Sequence, residues 1–349
     1  MRPGPNEKLL TGGVTVGVRV AVMRGNQVLA TDVPAVSLQL DASASRSVPE
    51  KLTYTAPLEW LPRYPLDPLN SYGQRSQVTV IQTIDGQTYE TPLGWFTHGS
   101  AGSIGWKETK SGIQVTAFGL LQIPDDDPMP WTSSPPANQR FSREMTRLCG
   151  LPVEMDGIID PIISRESQWG NSRLEAIEDL AAIYGYDYRT EPDGYLHIFK
   201  RADPYTQGAA AFYQNVILDA PHEGIKRRPN HVVVTGEGGT TKTKKRYSAT
   251  ASLNTFPYDE PYGQITEHVK LSSEVTQGAV TNAASDRQNM MLFSSQSRSI
   301  SMIPDPRIEL GDLISCQTQD GELITGVVSG YSWSQDQDMR VDLEVATYG

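Results

Sequence analysis

The sequence predicts a mainly β (α+β) fold in which two β-rich regions flank an α/β segment. Three observations predict it. Near both ends of the chain, apolar residues alternate with polar ones at period two, which puts one set of side chains on one face of a strand. Glycine and proline number 30 and 24 in 349 residues. That is about 15% against about 12% on average, an excess that favours turns and short strands. Helical spacing with start and stop signals is confined to the middle and to one later stretch.

Residues 1–122 read as an N-terminal β-barrel-like domain. Val14, Val16, Val18, Val20 and Val22 share one strand face, and Gly25-Asn26 turns the chain into a return strand. Val36, Leu38 and Leu40 alternate again, and Leu52 and Tyr54 belong to a strand ended by Pro57. Val78, Val80 and Ile84 lead into Asp85-Gly86, a strong two-residue hairpin signal, with return strands over 89–96 and 113–121. Residues 123–137 carry Pro124, Pro128, Pro130, Pro135 and Pro136 around Asp125-Asp126-Asp127, and read as a proline-rich linker without a regular element.

Residues 138–223 read as an inserted α/β domain. Phe141, Met145 and Leu148 lie on one helical face that Gly150 and Pro152 end. Ser172 and Glu175 form a capping box for a second helix, with Leu174, Ile177, Leu180, Ala181 and Tyr184 as its apolar stripe and Gly185 as its stop. Glu191-Pro192-Asp193-Gly194 turns between two strands. Residues 224–349 read as a C-terminal β-barrel-like domain with one helix over 276–294. A Gly/Thr/Lys loop over 236–246 is expected inside it.

The net charge of −11 argues against a phosphate-gripping nucleic-acid binder, which needs clustered Lys and Arg. Cys149 and Cys316 cannot form a disulfide framework or a zinc ribbon, and read as buried thiols of a protein made in a reducing compartment. No stretch has the length of a membrane span, and no secretory signal is visible.

Candidate sites are few. Gly236 to Thr243 loosely follows a phosphate-loop pattern, but Thr241 stands where glycine must precede Lys242. The stretch therefore reads as an exposed loop. Lys242, Lys244, Lys245 and Arg246, with Lys226, Arg227 and Arg228 upstream, form the basic clusters. They are either a solvated loop or a contact for an acidic partner or for DNA. Asp125, Asp126 and Asp127 lack the ligand spacing of a calcium loop. Glu154, Asp156 and Asp160 form a second carboxylate group, and Glu175, Glu178 and Asp179 sit where a helix N-terminus favours negative charge. The five histidines are scattered, and His222-Glu223 lacks the second histidine of a zincin. Six tryptophans and 15 tyrosines are enough to line a sugar groove but more often anchor cores. No catalytic set, cofactor motif or metal-ligand pattern emerges.

The run from Leu174 to Tyr188, followed by Glu191-Pro192-Asp193-Gly194-Tyr195-Leu196-His197-Ile198, resembles the inserted α/β domain of bacteriophage tail hub proteins. These are the baseplate-hub or tail-tip hub proteins of long-tailed phages. The C-terminal part is similar to the same family in Ala283-Ala284 through Met291, Pro304 and Pro306, and Leu310-Gly311-Asp312. The resemblance implies a non-enzymatic virion protein, made in the host cytoplasm and placed at the tail tip. It implies a homotrimer whose six related barrels match a six-fold tail tube and surround a DNA channel. Implied partners are the tail tube or distal tail protein, the tape measure protein and tip or fibre proteins, with transient passage of phage DNA. Some relatives carry a lysozyme or peptidase segment, for which this chain leaves no room after its last strand. The alternatives are a glycan-binding or cell-wall-degrading virion protein, and a DNA binder using the basic segments over 226–246.

Overall fold

The computed structural model describes residues 1–165, 167–202, 207–221, 227–240, 243–254, 258–293, 296–335 and 337–345. The fold is mainly β. Among the described residues, fourteen strands drawn from both ends of the chain hydrogen-bond into one sheet. The strands Val14–Arg24 and Gln74–Ile84 pair antiparallel along their whole length. Burial alternates strictly along Gln74–Ile84, as the valine and isoleucine spacing requires. Asp85 and Gly86 take φ of 50° and 78°, the left-handed pair of a type I′ turn, and return the chain into Gln87–His98.

The two β-rich ends are joined edge to edge. Gly330 to Ser334, in the strand Leu323–Ser334, pairs antiparallel with Ser43 to Gln39, in the strand Val36–Ser43. One hydrophobic core therefore draws on both ends. Val20, Leu40, Tyr54, Val78 and Phe96 pack in one cluster with Ile300, Met302, Trp333, Val341 and Leu343. Each such side chain contributes about 1.5–3 kcal/mol when fully buried. The strands Ala211–Gln214 and Ile217–Asp219, expected with the α/β segment, pair instead into this sheet, on Leu313–Gln317 and Gln296–Met302.

The α/β segment follows its local signals closely. The helix Phe141–Cys149 ends at Gly150, with φ 70°. The helix Arg173–Tyr184 opens with the Ser172 hydroxyl accepting the Glu175 N–H at 3.2 Å and ends at Gly185, with φ 67°. Their buried faces meet in a second core, against a three-stranded sheet of Val153–Met155, Tyr186–Thr190 and Leu196–Lys200. The stretch read as a linker differs from expectation. It opens with a short helix, Gln122–Asp126, and buries Met129 in the second core. Met129 donates its N–H to the Asn171 carbonyl, and Ser133 exchanges backbone bonds with Trp169. The prolines exclude a long element but leave the strap enough donors to dock.

The expected loop over 236–246 is also corrected. His231–Thr240 and Thr243–Ser252 pair antiparallel along their whole length, and His231–Thr240 is joined in parallel to Thr266–Glu274. The glycines that read as loop residues allow close approach. A Cβ on Gly238 would stand 1.9 Å from the Val275 carbonyl oxygen, and one on Gly236 would stand 2.3 Å from Val275 Cγ2. The helix expected over 276–294 spans Gln277–Phe293. It packs Val280, Ala283, Ala284 and Met291 onto Val232, Val234 and Leu271 of this sheet, and meets Ile183 of the α/β segment.

Candidate assembly site

The hairpin end carries the basic residues singled out from the sequence. Lys244, Lys245 and Arg246 are exposed. They lie on consecutive strand positions, so Lys244 and Arg246 share one face and Lys245 takes the other. That division does not suit a grip on a single phosphate. Arg246 Nε lies 3.2 Å from Glu237 Oε1 across the hairpin. A strand, not a helix N-terminus, follows the tip, so the phosphate-loop geometry is missing. Lys242, Lys226, His222 and Glu223 lie outside the described residues. Arg227 donates to the Tyr262 carbonyl and stacks over its ring at 5.4 Å.

The structure scatters the other sequence candidates. Asp126 Oδ1 accepts the Ala101 N–H at 2.7 Å, and Asp127 pairs with Arg173 at 3.1 Å. Asp160 accepts the Ser142 N–H and hydroxyl at the start of the helix Phe141–Cys149, whereas Asp156 meets His197 at 3.0 Å. Glu178 is raised by burial and by neighbouring Asp179. Burial pushes the Cys149 thiol up to about 11 and Cys316 to about 12, so both are inert at neutral pH. Buried His98 is pushed down to about 4 and bonds Ser76 in the core. Trp60, Trp95, Trp106, Trp169 and Trp333 belong to the cores or pack against them, and Trp131 is exposed. Among the described residues, the tryptophans form no aromatic platform.

A charged seam between the main sheet and the α/β segment escaped the sequence reading. Buried Arg2 donates to the Pro306 and Ile308 carbonyls at 3.2 and 2.9 Å and to the Tyr331 hydroxyl at 3.2 Å. It also pairs with Glu50 at 3.3 Å and Glu309 at 3.5 Å. From the α/β side, Arg189 reaches Glu309 at 3.3 Å, Asp312 at 3.1 Å and Glu191 at 3.0 Å. The cavity between Glu50, Tyr188, Arg189 and Leu310 measures only about 40 Å³. That is room for ordered water, not for a substrate. The seam positions two units against each other.

Burial pushes Glu50 up to about 7 from its ordinary 4.5, against the pull of Arg2 and with Glu309 adding to the rise. Between those pH values the folded chain holds a proton that the unfolded chain releases, so stability falls as pH rises through the window. Relative to Glu50→Gln, the wild type is expected to lose about 3 kcal/mol between pH 4.5 and 7. Urea unfolding of both proteins across that range checks this. Parallel curves would refute it.

The architecture defines a class: a large sheet shared by both chain ends, carrying an α/β segment and a second sheet-and-helix unit. Solved structures with a similar fold include three tail proteins, two of them from prophages. A tail protein from Neisseria meningitidis aligns at TM-score 0.57 and 14% identity, covering 94% of this chain and 96% of that one. The 43 kDa tail protein of prophage MuSo2 from Shewanella oneidensis aligns at 0.55 and 14%, covering 94% and 98%. Prophage tail protein gp18 from Listeria monocytogenes aligns at 0.52 and 13%, covering 94% of each. No family model matches the sequence, and no curated protein does. The likeness is one of fold. Among the described residues, no helix is long and apolar enough to cross a membrane.

Proposed function

We propose that this chain is a structural hub of a phage tail tip. It forms a homotrimeric ring that joins the tail tube to the tip and surrounds part of the DNA channel. The observation that carries this reading is the likeness in fold to three tail proteins over 94% of this chain and 94–98% of theirs. The inert thiols and the water-sized seam cavity support a non-enzymatic role. In this reading the chain contacts a tail tube or distal tail protein, the tape measure protein, and tip or fibre proteins, while phage DNA passes without a dedicated binding site. The net charge of −11 keeps phosphate from adsorbing. Lys244, Lys245 and Arg246 on the exposed hairpin end are assigned to contact with an acidic partner surface.

Light scattering and negative-stain microscopy of the purified protein test the ring, with the mass of three chains and an open centre as the expected result. Labelling of purified virions tests the location. Absence of the protein from virions would refute the proposal. Reversing the charges of Lys244, Lys245 and Arg246 together is expected to reduce incorporation into tails while leaving the melting temperature unchanged.

A further inference from the structure

One group of side chains adjoins the seam, sharing only Glu191 with it through Arg189. His197 and Asp156 stand on neighbouring strand ends, because Leu196 to Ile198 pairs in parallel with Val153 to Met155 and Asp156 follows directly. Glu191 and Asp193 come from the turn that leads into the strand of His197. His197 Nδ1 lies 3.0 and 3.1 Å from the two Asp156 carboxylate oxygens and 3.8 Å from Glu191 Oε2. One donor atom from each of Asp156, Glu191 and His197 falls within 4.8 Å of the other two. Ligands at 2.0–2.2 Å around a tetrahedral zinc ion lie about 3.4 Å apart, so the observed separations bracket what an ion needs.

The surrounding groups orient these donors. Asp193 Oδ2 accepts from His197 Nε2 at 3.0 Å, and its other oxygen is fixed by the Tyr195 N–H at 2.9 Å. A carboxylate on the far ring nitrogen is the arrangement that turns a histidine's remaining nitrogen toward a metal. Arg189 holds Glu191 through Oε1, which leaves Oε2 facing His197. The turn itself is anchored, since the Pro192 carbonyl accepts the Trp95 indole N–H at 3.0 Å. His197 is largely covered, with 12% of its side chain exposed, whereas Asp156 is 38% exposed. The site therefore has fixed ligands on one side and a solvent-exposed carboxylate on the other.

We propose that Asp156, Glu191 and His197 bind one divalent cation of the zinc class, with Asp193 as the positioning residue behind His197. One imidazole and two carboxylates suit a borderline ion such as Zn²⁺, while calcium prefers six to eight oxygens. In place of a proton on Nδ1, a dication adds one positive charge where Asp156, Glu191 and Asp193 gather around a single imidazole. By joining residues before and after the turn, the ion would fix the α/β sheet where it meets the main sheet.

Isothermal titration of the metal-free full chain with ZnCl₂ tests this. We expect one saturable equivalent per chain, and a rise in melting temperature that a chelator reverses. His197→Gln should abolish that equivalent. Asp193→Asn should weaken it about 10–100-fold while leaving the stoichiometry at one, as loss of an orienting partner does. Should His197→Gln fail to fold, Asp156→Asn, at a more exposed position, replaces it. Absence of binding, or binding unchanged by both substitutions, overturns the proposal. Cobalt substitution gives an independent readout, because a visible absorption band lost in His197→Gln and kept in Asp193→Asn at saturating cobalt reports the site directly. None of these measurements depends on trimer formation or virion location.

Discussion

Replacing Arg2 by methionine is expected to cost about 3–5 kcal/mol of stability, the range for breaking a buried ion pair by removing one partner. The side chain is 2% exposed and serves two carbonyls, a tyrosine hydroxyl and two carboxylates. Methionine fills comparable space, so the loss is electrostatic rather than a cavity effect. Glu50 can take up a proton once its partner is gone, which offsets part of the cost. The Pro306 and Ile308 carbonyls have no such remedy. Urea unfolding provides the measurement, with Arg19→Met as the control. Arg19 pairs with Glu90 at 2.6 Å, but both side chains are well exposed, and loss of that pair should leave the midpoint in place. Equal effects from the two substitutions would show that the seam contributes nothing.

Glu144→Leu is expected to cost about 1–3 kcal/mol, the penalty of leaving a buried donor unsatisfied. Glu144 is fully buried on the inner face of the helix Phe141–Cys149. Its carboxylate accepts the Trp169 indole N–H at 2.5 Å and both a 2.6 Å and a 2.9 Å bond from Arg147. Leucine strands the buried indole donor, although Arg147, one-third exposed, can turn to water. Glu144→Gln keeps an acceptor for Trp169 and should recover most of the loss. Near-ultraviolet dichroism reports Trp169 directly, and a Glu144→Leu protein with the wild-type spectrum and midpoint would refute the assignment.

The elements legible in the sequence are those whose cause is local. Val20 and Val22, Asp85-Gly86, the Ser172–Glu175 cap and the Gly185 stop each act within a few residues, and each stands where the spacing placed it. Gly236 and Gly238 misled because their reason lies in Val275, on a different part of the chain. Ala211–Gln214 was assigned to its sequence neighbours, yet its partner is Leu313–Gln317. Composition recorded Arg2, Arg189, Glu50 and Glu309 only as charges, and nothing in their spacing brings them together. In the sequence His197 is one of five scattered histidines and Asp156 one of a carboxylate group. A parallel strand pairing that no short window contains makes them neighbours. Asp193 and Glu191 read in the sequence only as turn residues.

The pairing of Val36–Ser43 with Leu323–Ser334 also sets a timetable for synthesis. Asp41 and Ser332, which bond across that junction, are 291 residues apart. A ribosome adding roughly 5–20 residues per second makes the second strand some 15–60 s after the first. Through that interval the middle of the future sheet is an open edge, able to recruit any nascent strand nearby. Copies made on one message are the nearest such strands, so crowded translation favours mispaired aggregates over the native sheet. Slower initiation, or a chaperone that covers residues 36–43 until the C-terminal strands emerge, should raise the yield of soluble protein without altering any native contact.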